Sequence, residues 1–273
     1  MKNAMQLKAY IKNYAYKNRI APQAVLQNYM LERLLERISI SEYRNNFILK
    51  GGMLIAAMVG LDTRTTMDMD ATLKNYPLNE ETATRIFNEI LAIQLEDNAT
   101  FELTAVNPIR EDDEYGWYCL SINAKFETLN VQLKIDLTSG DKITPREVKY
   151  SFNLLFSDKS IEVLAYNLET VIAEKYETII RRSVANTRIR DFYDIYILMN
   201  FQKQNIDFDV LKTAIAKTAE HRGSSHLLAD ADETINLIED DKDMQTLWGA
   251  YQAKFEYAKD ITWQELMDAL KII

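Results

Sequence analysis

Two aspartates one residue apart, Asp68 and Asp70, close the stretch FILKGGMLIAAMVGLDTRTTMDMD over residues 47–70. On a strand, residues i and i+2 share a face. The two carboxylates would then stand side by side, with Met67, Met69 and Ala71 filling the core behind them. Paired carboxylates repel and resist joint ionisation unless a cation lies between them. Hard oxygen donors of this kind suit Mg²⁺, which keeps several waters and completes its shell with substrate phosphates. Ordinary solvated strand faces also carry acids at this spacing, so the pair by itself decides nothing. Upstream, Lys50 ends an apolar lead-in, Gly51 and Gly52 open a helical run over 53–59, and Arg64-Thr65-Thr66 follows a break at Gly60. Glycine lets backbone N–H groups approach a phosphate, and a helix N-terminus favours an anion.

A third acid arrives on the strand expected over 131–137, where Val131, Leu133, Ile135 and Leu137 face one way and Gln132, Lys134 and Asp136 the other. Paired in a sheet beside Asp68 and Asp70, Asp136 would complete a set of carboxylates. Such a set can hold one or two Mg²⁺ ions and take a proton from an attacking hydroxyl. Further on, a helix over 167–184 carries Glu174-Lys175, and one over 187–201 opens with Arg188, Arg190, Asp191 and Asp194. Such a basic and acidic cluster can equally be a structural ion pair.

Four blocks in order carry a resemblance: the Gly-Gly turn with R-[ST]-[ST]-x-D-x-D, the string LKIDLTSGD, the AEK ending at Lys175, and RDFYD over 190–194. Together they resemble the motifs of the AbiEii/AbiGii toxin nucleotidyltransferases, within the polymerase-β-like superfamily, across residues 47–200. The resemblance implies an α+β fold, with a nucleotidyltransferase-like mixed sheet and flanking helices in residues 1–149 and a helical domain in 150–273. It implies Mg²⁺ on Asp68, Asp70 and Asp136, and an NTP near Lys50, Gly51, Gly52, Arg64, Thr66, Lys134, Lys175, Arg190 and Asp194. Lys175 would be a point charge on the triphosphate, with Asp191 favoured over Asp194 as the acid that positions nucleotide or acceptor. One departure stands out: many relatives place Ser or Thr directly after the second glycine, and here Met53 follows Gly52. The implied reaction is NMP transfer to an acceptor hydroxyl, with RNA, as at a tRNA 3′ end, as acceptor and an antitoxin protein made alongside. Two other readings use the same residues. One is a fold that has lost catalysis and only binds nucleotide or a partner; the other is a Mg²⁺-dependent phosphodiesterase, which would not need the Gly-Gly turn.

The remaining elements must position these groups. The 273 residues suffice for one large or two modest domains, and no apolar stretch reaches the length needed to span a bilayer. A single cysteine, Cys119, rules out an internal disulfide, and no signal-peptide pattern opens the chain, so a cytoplasmic protein is expected. The net charge of −9 argues against a non-specific nucleic-acid coat. Yet residues 1–31 contain Lys2, Lys8, Lys12, Lys17 and Arg19 and no acid. Leu7, Tyr10, Ile11, Tyr14 and Ala15 keep helical spacing there, giving an amphipathic helix with a basic face. That face is either simply solvated or touches RNA phosphates, with Tyr10, Tyr14 and Tyr16 available for stacking. Pro22 starts a second helix, 79–96 reads as a long helix, and 101–109 and 117–126 alternate as strands around the polar run REDDEYG. After residue 149 only helices are expected. There His221 and His226 read as surface residues, and the acids from Asp230 to Asp243 as a solvated face or, less simply, a site for a basic antitoxin.

Overall fold

The computed structural model describes residues 1–109 and 117–273. The run REDDEYG, expected as a hairpin turn or longer loop, lies outside the described residues. The chain forms two compact units, residues 1–141 with 148–165, and residues 142–147 with 166–273.

The first unit is built on a seven-stranded mixed sheet in the order β3-β4-β5-β2-β1-β7-β6. Its strands are β1 (Phe47–Lys50), β2 (Met69–Leu73), β3 (Ala99–Pro108), β4 (Trp117–Phe126), β5 (Leu129–Thr138), β6 (Val148–Asn153) and β7 (Ser160–Ala165). β2 runs parallel to β5, β1 runs parallel to β7, and the remaining pairs are antiparallel. Its helices are α1 (Ala4–Asn18), α2 (Pro22–Ile40), α3 (Gly51–Val59) and α4 (Glu80–Leu91). Asn3 caps α1 by accepting from the Gln6 N–H, Pro22 occupies the first turn of α2, and Asn79 caps α4. One face of the sheet buries Leu49, Met69, Ala71, Ile135 and Leu137, and α2 lays Leu34, Leu35 and Ile38 into the core. Each fully buried Leu or Ile contributes about 1.5–3 kcal/mol. The opposite face carries the polar side chains of β2, β4 and β5, with Ile48 buried on it in β1 beside Leu164 of β7.

The alternation expected over 131–137 is present in β5, and the fold class is α+β. Three local expectations need correction. The helix expected over 79–96, α4, stops at Leu91. Met67 is 41% exposed and takes no part in the core, because the strand begins only at Met69. The sheet also continues past residue 149 with β6 and β7, where only helices were expected. β6 buries only Phe152 of its six residues, so its pattern carries too little apolar signal to read as a strand.

Two of the buried ionisable side chains of α2, Arg37 and Glu32, escaped the sequence pattern. Arg37 makes a bidentate pair with Asp97, at 2.7 and 2.9 Å, and donates further to the carbonyls of Arg33, Ile93 and Ala99. Glu32 is buried, and its Oε2 accepts the Leu155 N–H at 2.7 Å. Burial pushes its carboxyl from 4.5 up to about 8, opposed by that hydrogen bond and by Arg33. The folded chain therefore keeps this proton after the unfolded chain has released it. Its contribution to stability is complete below pH 4.5 and is lost as pH rises through about 8. Glu32→Gln should flatten that slope and stabilise the protein at pH 8 by on the order of 2 kcal/mol. Urea unfolding of both proteins at pH 5 and pH 8 measures it, and parallel slopes would contradict the assignment.

The second unit is helical: α5 (Leu168–Arg182), α6 (Ile189–Phe201), α7 (Phe208–His221), α8 (Ala231–Asp240), α9 (Lys242–Lys254) and α10 (Trp263–Leu270). Asn167, Asp207 and Asp241 cap α5, α7 and α9, and Thr262 with Glu265 forms a capping box at α10. Gly223, at φ +68, follows α7 as a stop. Among the described residues no helix is long and apolar enough to cross a membrane.

Candidate active site

On the polar face of the first unit, strand register lines up one row of side chains. Lys50 pairs with Asp70 across β1 and β2, Asp70 with Asp136 across β2 and β5, and Asp136 with Cys119 across β5 and β4. Residues in register point to the same face, and neighbouring strands lie about 4.8 Å apart. Asp70 and Asp136 are thus adjacent on one face, and Lys134 shares that face of β5. Asp68 does not sit on it by strand alternation, because it precedes the first residue of β2. Its charge nevertheless reaches Cys119, the row's next member. Burial raises the Cys119 thiol to about 11, and its hydrogen bond to Asp136 adds to that, so the thiol holds its proton beside the carboxylate.

The start of α3 abuts this row. Gly51 has φ +64, and a side chain there would place its Cβ 2.0 Å from Asp70 Oδ2. The Gly52 N–H points at the same oxygen from 3.4 Å, so the helix N-terminus faces a carboxylate. A Cβ on Gly52 would lie 2.8 Å from Thr66 Oγ1 and 3.1 Å from Arg64 Nη2. The loop carrying Arg64 and Thr66 is held from α2: Asn28 donates to the Thr66 carbonyl at 2.7 Å, and Gln27 to the Met67 carbonyl at 3.0 Å. Arg64 is itself buried and donates to the Thr65 carbonyl.

Lys50 is not presented to solvent. Its Nζ lies 2.6 Å from Asp141 Oδ2 and 2.7 Å from Thr138 Oγ1, and the hydroxyls of Thr72 and Thr138 donate to the same Asp141 oxygen. Burial disfavours the charged Asp141, yet Lys50 and the two threonines outweigh it and hold the carboxyl well below the usual range. Asp141, Thr72, Thr138 and Cys119 were not among the expected site residues. Thr72 and Thr138 follow Asp70 and Asp136 by two positions, which is the signal that could have found them.

In the second unit, Lys175 of α5 reaches two acids of α6 together. Its Nζ is 2.9 Å from Asp191 Oδ1 and 2.6 Å from Asp194 Oδ2, and Arg188 approaches Asp191 at 3.3 Å. Burial opposes the ammonium charge, but the two carboxylates overcome it and raise the Lys175 pKa. Lys175 contacts both acids, so the geometry does not single out Asp191 over Asp194. Arg190 is exposed on the outside of the helix start.

The sequence from residue 33 to residue 269 matches the family described as nucleotidyl transferase AbiEii toxin, type IV toxin–antitoxin system. The chain belongs to the AbiEii nucleotidyltransferase toxin family. Its fold is similar to that of JHP933 from Helicobacter pylori, with TM-score 0.52, 16% identity and 92% of each chain covered. A proposed nucleotidyltransferase from H. pylori matches at TM-score 0.51 and 16% identity, over 93% of this chain and 95% of that one. At such identity the likeness speaks for the fold alone. No curated protein matches the sequence.

For an AbiEii-family chain the donor chemistry of the row bears on Mg²⁺. Two hard carboxylates adjacent on one face suit an ion that takes one or two protein carboxylates and draws the rest of its shell from water and phosphate. Among the described residues no group of three or more His, Cys, Asp or Glu side chains forms a ready metal cluster. Asp70 and Asp136 would be the two protein ligands of such an ion.

Proposed function

We propose that this chain transfers NMP from an NTP to an RNA hydroxyl with Mg²⁺ held at Asp70 and Asp136, and with Asp68, at the residue before β2, as the third carboxylate the family motif implies. The observation that carries the reading is the in-register row of Lys50, Asp70 and Asp136 against the start of α3. When bound, Mg²⁺ would neutralise charge developing on the transferred phosphoryl group. Asp136 takes the proton of the attacking hydroxyl, whose oxygen bonds the α-phosphorus as the bond to pyrophosphate breaks. Thr66, whose hydroxyl lies against Gly52 and donates to the Asp68 carbonyl at 3.1 Å, would have to turn from that carbonyl to give phosphate the hydroxyl that Met53 does not carry, and Arg64 steadies the same turn. In the first unit Lys134 is the cationic partner for phosphate, and Lys50 would have to leave Asp141 to join it; in the second unit Arg190 and Lys175, which Asp191 and Asp194 orient, are the cationic candidates. A cognate antitoxin protein and a cytoplasmic setting complete the proposal.

One observation favours the binding-only alternative: Lys175, assigned to the triphosphate, is already compensated by two buried carboxylates. Incubating the protein with Mg²⁺, each labelled NTP in turn and total RNA, then running a gel, separates the readings. Label on RNA that disappears with EDTA supports transfer. Nucleotide binding without label would favour the inactive form, and RNA cleavage without label a phosphodiesterase.

A further inference from the structure

All 41 acidic residues of the chain lie after Leu31, while the segment before it holds five cations. The fold turns that bias into a surface. Leu7, Ile11 and Ala15 bury one side of α1, and Lys2, Lys8, Lys12, Lys17 and Arg19 are all exposed. Lys8 and Lys12 are one turn apart, so their ammonium groups are neighbours. Among the described residues none of the five cations is held in an ion pair. Lys8 and Lys12 repel along one stripe, while Lys17, in the last turn on the other flank, is favoured by the helix dipole. On the same helix Tyr16 is 89% exposed and Met5 82% exposed. Tyr10 and Tyr14, in contrast, lean on Phe156 at 5.5 and 5.8 Å, which fixes the helix in place.

The helix also lies close to the loop before β2. Tyr14 feels the charge of Asp62, and α1 packs on α2, whose Gln27 and Asn28 grip the carbonyls of Met67 and Thr66. We infer that the exposed side of α1 is a docking surface for the RNA acceptor, with Lys8 and Lys12 on phosphates along one stripe, Tyr16 at the end of that stripe stacked on an unpaired base, and Lys17 on a phosphate from the flank. RNA is favoured over an acidic protein because the cations accompany an exposed ring, and base stacking on an aromatic side chain is sequence-tolerant. The inference rests on the RNA acceptor of the proposed reaction, but binding can be read without catalysis.

Fluorescein-labelled tRNA is titrated with the full chain at several salt concentrations, using wild type, the triple variant Lys8→Gln/Lys12→Gln/Lys17→Gln, and Tyr16→Ala. Each phosphate that no longer meets a lysine lowers the slope of log K against log salt by about 0.7–0.9. The triple variant should therefore flatten the slope by about 2, and Tyr16→Ala should weaken binding about tenfold without changing it. Circular dichroism checks that all three share one fold. Wild type that binds no tRNA, or a triple variant that binds with the wild-type slope, overturns the docking surface even if transfer is observed. Poly-L-glutamate binding as tightly as tRNA and lost in the triple variant would reassign the face to a protein partner. Conversely, tRNA binding that follows the prediction in a protein that never transfers label would leave the surface standing and remove the catalytic reading.

Discussion

Asp70→Asn is expected to lower nucleotidyl transfer on the order of a thousandfold, about 4 kcal/mol of transition-state stabilisation. Asn preserves the size and one carbonyl oxygen, so the Gly52 N–H that faces Asp70 Oδ2 keeps an acceptor. What it loses is the charge that would draw a cation to the row beside Asp136. Stability should change by no more than about 1 kcal/mol, in the stabilising direction, because one of two adjacent carboxylates is neutralised. Single-turnover transfer and urea unfolding of the same preparation measure the two effects. Transfer at a near wild-type rate would remove Asp70 from the proposed metal site, and an unfolded variant would mean that the carboxylate is structural.

The second large effect is expected at Gly51. Alanine there must adopt φ +64, which costs an L-residue about 1 kcal/mol. Its Cβ would lie 2.0 Å from Asp70 Oδ2, 2.6 Å from Cγ and 2.8 Å from Cβ. Since those atoms belong to a central strand, the helix start or the carboxylate has to move. Overpacking of this kind costs about 1–3 kcal/mol beyond the backbone term. Transfer should fall about as far as in Asp70→Asn, because the displaced group is the same one. A double-mutant cycle isolates the cause. In an Asp70→Gly background all three offending atoms are absent, and Gly51→Ala should then cost only its backbone term of about 1 kcal/mol. An equal penalty in both backgrounds would show that the close approach is not what requires glycine.

Local chemistry made much of this protein readable in advance. Strict alternation over 131–137 sets the faces of β5, because a strand has period two and its apolar side must be buried. Asn79, Asn167, Asp207, Asp241 and Thr262 start helices through their own side chains, which needs no distant partner. Gly51-Gly52 announces a turn into a helix, and the order of the motifs carries the family. Local spacing, however, placed Asp68 and Asp70 on one strand face, and the chain enters β2 only at Met69. Equally, no local pattern announces the partners of Lys50, the bidentate grip of Arg37 on Asp97, or the β6–β7 hairpin with its weak apolar signal.

The adjacency of Asp70 and Asp136 belongs to the tertiary structure alone. Each residue's face follows from its own strand, but which strands become neighbours, in what direction and at what offset, is decided by how the sheet buries its apolar side against the helices. Met69 beside Ile135 and Ala71 beside Leu137 are the buried pairs that fix the register, and the polar row is their consequence on the other face. Sequence determines which side chains this protein can offer to a phosphate or a metal. Only packing between segments far apart in the chain determines which of them meet.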